Sequence, residues 1–248
     1  VIKIEEKFIF NNSKFWDFVA LRGGNSQIEA GGWISYLTGE PFSESEINEY
    51  SNNTLVKLKP YINCKNSFLE IGVGSGVILQ KISSQVKDYT ATDISSKMIN
   101  FCKDKLVIEN KENVKFENLE AKQMDELLPR RYEVIIINSV CQYFPSIEYF
   151  EEVIAAAHKV SKENTIIFLG DIPDVSKKAE LIRNAQRNNS EQGNLHREMF
   201  YNKDYLYNLY KKYTFIKKIE ISEKIFSIEN ELTSYRFDCI LTVKGSLY

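Results

Sequence analysis

Phe68-Leu69-Glu70-Ile71 is a short apolar run that stops at three alternating glycines, Gly72-Val73-Gly74-Ser75-Gly76. A run of this length ended by glycine predicts a buried strand turning sharply into a helix. Glycine lets the backbone turn tightly and approach a ligand closely. The first turn of the following helix also offers backbone N–H groups that have no partner of their own. The spacing narrows the ligand. No Gly-Lys-Ser or Gly-Lys-Thr follows, which excludes a phosphate loop of the Walker type. A dinucleotide fingerprint needs G-x-G-x-x-G, and Val77 occupies the place of its last glycine.

Strand-like runs recur at residues 89–92, ending at Asp93, and at 114–119, 133–137 and 165–170, with two late runs at 216–221 and 235–242. Residues 77–86, 97–109 and 147–160 carry helical spacing, and residues 176–212 read as largely helical and polar. Val134-Ile135-Ile136-Ile137 has no polar interruption, the pattern of a parallel strand buried on both faces. The alternation predicts an α/β fold, a doubly wound, Rossmann-like and mostly parallel sheet. Ligands bind such sheets beyond the carboxyl ends of the strands, so the residues just after each strand are the candidates for function. Upstream, residues 8–60 read as amphipathic helix broken at Gly23-Gly24 and Gly31-Gly32, with Ser43 and Glu46 forming a capping box. Residues 1–60 are expected to form an N-terminal helical lid and residues 61–248 the binding core. The 248 residues suit one such domain, not two.

Composition excludes several classes. The formal net charge of -2 gives no global field toward nucleic acid or a membrane surface, and the cluster of Lys211, Lys212, Lys217 and Lys218 reads as solvated surface. Residues 1–10 alternate charge with apolar side chains and lack the apolar run of a signal peptide. Cys64, Cys102, Cys141 and Cys239 form no C-x-x-C pair, and only His158 and His196 stand to join them, so no metal site is expected. Cysteines so placed read as reduced thiols of a cytoplasmic protein.

The E-x-G-x-G-x-G spacing of Glu70 to Gly76 resembles motif I of class I S-adenosylmethionine-dependent methyltransferases. Asn138-Ser139-Val140-Cys141-Gln142-Tyr143-Phe144-Pro145-Ser146 resembles N-S-V-x-Q-Y-F-P-S of the methyltransferase domains of nonribosomal peptide synthetases and their freestanding relatives. Gly32-Trp33-Ile34-Ser35-Tyr36-Leu37-Thr38-Gly39-Glu40-Pro41 is similar to their G-W-x-S-S-Y-T-G-x-P, with Tyr36 one place early. Gly170-Asp171-Ile172 and Asn230-Glu231-Leu232-Thr233-Ser234-Tyr235-Arg236-Phe237-Asp238 resemble two further segments, so the likeness runs from about residue 30 to 245. Residues 1–29 have no counterpart. The chain is expected to be a freestanding enzyme or a module of a longer one.

The resemblance implies S-adenosylmethionine as cofactor and S-adenosylhomocysteine as product. Glu70 is expected to hold the cationic methionine end, with Gly72, Gly74 and Gly76 shaping the loop and Tyr36 covering it. Asp93, with Ile94 beside it, sits where a carboxylate accepts from both ribose hydroxyls. Ala121, Lys122, Gln123 and Met124 are expected around adenine, Lys122 standing where the family commonly has an acid. Asn138 and Ser139 are expected at the cofactor, Asn138 also at the reacting centre. Methyl transfer is an in-line displacement that depends on positioning. Asn138, Gln142 and Tyr143 are the expected acceptor-binding residues, with Asp171 as proton acceptor or substrate anchor. His196 reads as surface more than as a base. The resemblance implies N-methylation of an aminoacyl thioester on a carrier protein. Two alternatives stay open: O- or C-methylation of a small metabolite, and a catalytically silent S-adenosylmethionine-binding domain. A nicotinamide oxidoreductase is disfavoured by Val77.

Overall fold

The computed structural model describes residues 13–107, 111–187 and 195–246. The expectations for residues 1–10, for the helix continuing to Glu109 and for the His196 side chain lie outside the described residues. Seven strands form one sheet: β1 (Ser67–Ile71), β2 (Asp88–Asp93), β3 (Val114–Asn118), β4 (Tyr132–Asn138), β5 (Ser161–Pro173), β6 (Ile216–Glu223) and β7 (Arg236–Val243). Their order is β3-β2-β1-β4-β5-β7-β6. The strands β1 to β5 run parallel, and β7 is antiparallel to both β5 and β6. The expected doubly wound, mostly parallel sheet is therefore present.

Side-chain alternation explains the two cores. Leu69, Ile71, Ile135 and Ile137 pack into one face with Phe150, Val153 and Ile154. Phe68, Val134 and Ile136 pack into the other with Leu79, Ile82 and Tyr89. Every β1 residue is buried, so each side chain meets a covered face. Burying one such Leu, Ile or Phe contributes roughly 1.5–3 kcal/mol. The chain winds outward in both directions from β1 and β4, and these two central strands open a crevice at their carboxyl ends.

The helices are α1 (Ser13–Arg22), α2 (Gln27–Ala30), α3 (Glu44–Leu58), α4 (Leu79–Ile82), α5 (Ser96–Lys105), α6 (Ile147–Lys159), α7 (Lys178–Arg187), α8 (Lys203–Tyr207), α9 (Leu209–Lys212) and α10 (Glu231–Ser234). The Ser43 and Glu46 capping box starts α3 as expected. The helix expected over 77–86 shortens to α4 and one 3-10 turn, because the Asn113 amide takes the carbonyls of Ser83 and Val86 at 2.7 and 2.9 Å. Likewise α5 stops at Lys105, where Leu106 turns extended and packs over Gly76. The helix α1 leans on the start of α5: Asp17 accepts from Ser95 Oγ at 2.6 Å and from the Lys97 N–H at 3.2 Å. No helix among the described residues is long and apolar enough to cross a membrane.

Candidate active site

A cavity of about 830 Å³ lies at the carboxyl ends of β1, β2 and β4 under the N-terminal segment. Its floor is the glycine loop. Gly72, Gly74 and Gly76 all have positive φ, at 72°, 52° and 80°. A Cβ on Gly72 would lie 2.5 Å from Val140 Cγ2, whereas one on Gly74 would meet nothing within 4 Å. Gly72 is thus required by close packing and Gly74 by its backbone, with open space above it.

Two buried carboxylates face this floor. Asp93 accepts from the Gly74 N–H at 2.9 Å and the Ser95 N–H at 2.8 Å, which fixes its orientation. Burial pushes its carboxyl up to about 6 against those two bonds. Glu70 accepts from the Tyr89 hydroxyl at 2.7 Å. Burial pushes Glu70 up to about 8; the Tyr89 bond opposes the rise and the nearby Asp93 charge adds to it. Desolvated acids held this close disfavour full ionisation unless a cation or hydrogen-bond donor enters.

Of the residues expected around adenine, the cavity lining includes Ala121 alone. Ile94 and Ala121 line the cavity, joined by Met98, Leu119, Phe144 and Tyr149. Lys122, Gln123 and Met124 do not line it. The stretch after β3, Ala121–Leu127, is a 3-10 helix whose buried side chains, Ala121, Met124 and Leu127, recur every three residues. That period sends Met124 into the core. It turns Gln123 outward, where its amide accepts from the Glu120 N–H at 2.9 Å and donates to Glu126 at 2.9 Å. Lys122 lies 3.9 Å from Glu120 and over the Tyr149 ring. Met98 lines the cavity where Met124 does not, and the apolar spacing of α5 is the sequence signal for it.

On the opposite wall, Asn138 and Gln142 are buried and line the cavity. The Asn138 amide donates to Thr54 Oγ1 at 2.9 Å, leaving its Oδ1 without a hydrogen-bond partner. Gln142 Oε1 is likewise unpaired. Ser139 and Tyr143 also line the cavity, and Trp16 of α1 packs edge-on against Tyr143, ring centroids 4.9 Å apart. Burial raises the Tyr143 phenol, Glu198 adding to the rise and Arg236 opposing it.

Asp171 is not in the cavity lining. Its carboxylate is wholly buried, accepts from Ser139 Oγ and Arg236 Nη1, the latter at 2.8 Å, and lies 3.3 Å from Lys224 Nζ. Asp171, expected at the reacting centre, is thus set behind the lining and held between two cations. Behind it, Asp238 accepts from Asn53, Lys57, Lys224 and the Asp171 N–H. Burial works against its charge, yet Lys224 and Lys57 hold its carboxyl below the ordinary range.

The roof joins Tyr36, expected there, to Glu231, which the sequence left without a role. Glu231, at the start of α10, accepts from Ser35 Oγ at 2.7 Å and from the Tyr36 and Leu37 N–H groups at 3.1 and 3.0 Å. Ile34 and Pro41 pair as a bridge, closing residues 34–41 into a loop over the cavity. Tyr36 lines the cavity, and its hydroxyl donates to buried Glu198 at 2.8 Å. Phe15, Trp16, Phe18, Val19 and Arg22 of α1 complete the wall. Residues 13–22 therefore belong to the site, although they matched no motif.

S-adenosylmethionine fits this donor set: two buried acids for its ammonium and ribose ends, open space above Gly74, and an apolar slot between Ile94, Met98 and Leu119. Among the described residues, no cluster of His, Cys, Asp and Glu is placed to hold a metal ion.

Comparisons with known proteins agree with this geometry. Residues 69–167 match the family model described as a methyltransferase domain. The chain is 29% identical over 230 residues to chondramide synthase of Chondromyces crocatus, covering 87% of this chain and 6% of that protein. It is 29% identical over 232 residues to a nonribosomal peptide synthetase of Emericella nidulans, covering 86% of this chain and 9% of that protein. The chain thus spans under a tenth of the length of these relatives. The N-methyltransferase NodS of Bradyrhizobium japonicum, solved with S-adenosyl-L-homocysteine, shares the fold, with a TM-score of 0.58 at 13% identity over 81% of this chain and 88% of that one. So does an S-adenosylmethionine-dependent methyltransferase of Clostridium acetobutylicum, with a TM-score of 0.59 at 12% identity over 80% of this chain and 92% of that one.

Proposed function

We propose that this class I S-adenosylmethionine-dependent methyltransferase, similar to the methyltransferase domains of nonribosomal peptide synthetases, methylates the amine nitrogen of an aminoacyl thioester. The observation that carries this reading is the pair of unpaired acceptors, Asn138 Oδ1 and Gln142 Oε1, buried on the cavity wall. A neutral primary amine brings two N–H donors and keeps its lone pair for attack. An alcohol brings one donor, and a carbon nucleophile brings none. Leaving a buried acceptor unpaired costs about 1–3 kcal/mol, so two such acceptors on cavity-lining residues favour the amine.

Bound S-adenosylmethionine supplies an electrophilic methyl carbon. The protein's part is to hold the cofactor through Glu70, Asp93 and the glycine loop, and to hold the amine through Asn138 and Gln142. A thioester lowers the proton affinity of its own α-amine, so the neutral form is accessible near pH 7 and no strong base is needed. The segment 33–42 with α1 is read as a lid that excludes water while the two reactants are aligned. A carrier protein as the acceptor's holder is supported by the peptide-synthetase relatives, and a cytoplasmic setting by four free thiols.

The test is a mass-spectrometric assay with S-adenosylmethionine and paired aminoacyl- and hydroxyacyl-pantetheine thioesters, with free amino acids alongside. A one-methyl gain confined to aminoacyl thioesters is expected. A gain on hydroxyacyl substrates transfers the reading to O-methylation. Binding of S-adenosylhomocysteine with no transfer to any acceptor leaves a silent binding domain.

A further inference from the structure

An amine that accepts a methyl group carries one proton too many, and that proton must leave. Asn138 and Gln142 are amides and hold no proton at neutral pH. Asp171 is outside the cavity lining and neutralised by Arg236 and Lys224. Glu70 and Asp93 sit at the glycine loop, the cofactor's end. Besides Ser139, which donates to Asp171, another cavity-lining residue is hydrogen-bonded to a buried carboxylate. The Tyr36 hydroxyl, on a cavity-lining residue, donates to Glu198 Oε1 at 2.8 Å. Glu198 is buried, and its Oε2 has no hydrogen-bond partner, the Arg236 guanidinium lying 3.8 Å away. The neighbouring Met199 N–H donates to the Gln142 carbonyl at 2.9 Å, so the loop presenting Glu198 is tied to the residue that presents an unpaired acceptor.

We infer that Tyr36, backed by Glu198 as its positioning residue, is the proton exit of the reaction. The inference rests on the amine reading above. The ammonium N–H bond breaks with its electron pair staying on nitrogen. The phenol oxygen takes that proton as its own O–H proton passes to Glu198 Oε1. The net change is one proton moved from ammonium to carboxylate; the tyrosine is restored and no electrons are exchanged. Glu198 faces Arg236 of β7, Asp171 of β5, Glu231 of α10 and the Tyr36 phenol, and the Tyr143 phenol responds to its charge. Burial raises its affinity for a proton, and the Arg236 charge opposes that rise. The proton reaches solvent when Glu231 releases residues 35–37.

The experiment compares E198Q and Y36F with the unaltered protein on aminoacyl-pantetheine thioesters. The readouts are kcat and KM across pH 6–9, S-adenosylhomocysteine affinity by calorimetry, and Tm. Expected is a kcat loss of about 100-fold in both variants, with a changed pH profile. Product affinity and Tm stay near those of the unaltered protein. Normal kcat and pH profile in either variant overturns the relay and leaves the amine reading intact. Loss of kcat in step with calorimetric affinity also overturns it, since Tyr36 then serves only to hold cofactor. No transfer by the unaltered protein overturns the amine reading and the relay together.

Discussion

Ser139, just after β4, and Asp171, at the register shift inside β5, both have positive φ, 57° and 59°, and the serine hydroxyl donates to the aspartate carboxylate. Such backbone costs of order 1–3 kcal/mol at each non-glycine position, so the surroundings must hold it in place. The Arg236 and Lys224 charges do so from behind. Asp171→Ala breaks a buried ion cluster, leaving Lys224 only Asp238 and Arg236 only the more distant Glu198, and is expected to lower unfolding stability by about 3–5 kcal/mol. Ser139→Gly trades one hydrogen bond for a relaxed backbone and is expected within about 1 kcal/mol of the unaltered protein. Urea denaturation measures both, and equal losses would sink this account.

Asp93→Ala is expected to weaken S-adenosylhomocysteine binding by about 1.5–3 kcal/mol, through loss of a charged acceptor. Part of that loss is indirect, since Asp93 also fixes the Gly74 N–H of the glycine loop. Calorimetric affinity within twofold of the unaltered protein removes the ribose assignment.

The two cofactor-side acids make a pH prediction. Burial raises Glu70 to about 8 and Asp93 to about 6, both above their unfolded values. Their ionisation therefore penalises the free fold fully above these values, and the penalty vanishes below about pH 4, near the unfolded carboxylate range. The free protein should gain stability as pH falls from about 8 toward 5 by this contribution. A cationic ligand end favours ionised Glu70, so binding near pH 7 should release a proton. Calorimetry of S-adenosylhomocysteine in buffers of differing ionisation enthalpy measures the release, and Glu70→Gln should abolish it.

Gln142→Ala is expected to lower kcat by about 10–100-fold through misorientation of the acceptor, with cofactor affinity nearly unchanged. Parallel losses in kcat and calorimetric affinity would instead mark Gln142 as a packing residue.

Glu231→Ala removes three hydrogen bonds to residues 35–37. A rise of about 10-fold in KM is expected, with faster proteolysis within residues 33–42. Unchanged cleavage there would show that Glu231 does not hold the roof.

What the sequence disclosed follows from the range of the interactions. Glu70, the three glycines and Asp93 stand at strand ends, where a period of two and a glycine stop are local signals. Which of residues 121–127 face inward was not legible, because they look like a loop while a three-residue helical period decides it. Glu231, Arg236 and Glu198 drew no role because their partners, Ser35, Asp171 and Tyr36, lie 196, 65 and 162 positions away. No local pattern encodes a hydrogen bond between residues that meet only when the sheet has closed.

The tie from Ser35 to Glu231 also sets an order of events. The glycine loop, Asp93 and β4 come together from the middle of the chain, but the roof over them waits for α10, beside the last strand. A chain emerging from the ribosome holds a cofactor floor long before it holds a closed chamber. A piece that ends just before Glu231 keeps the residues of the floor but lacks both the acceptor that latches its roof and the strand β7.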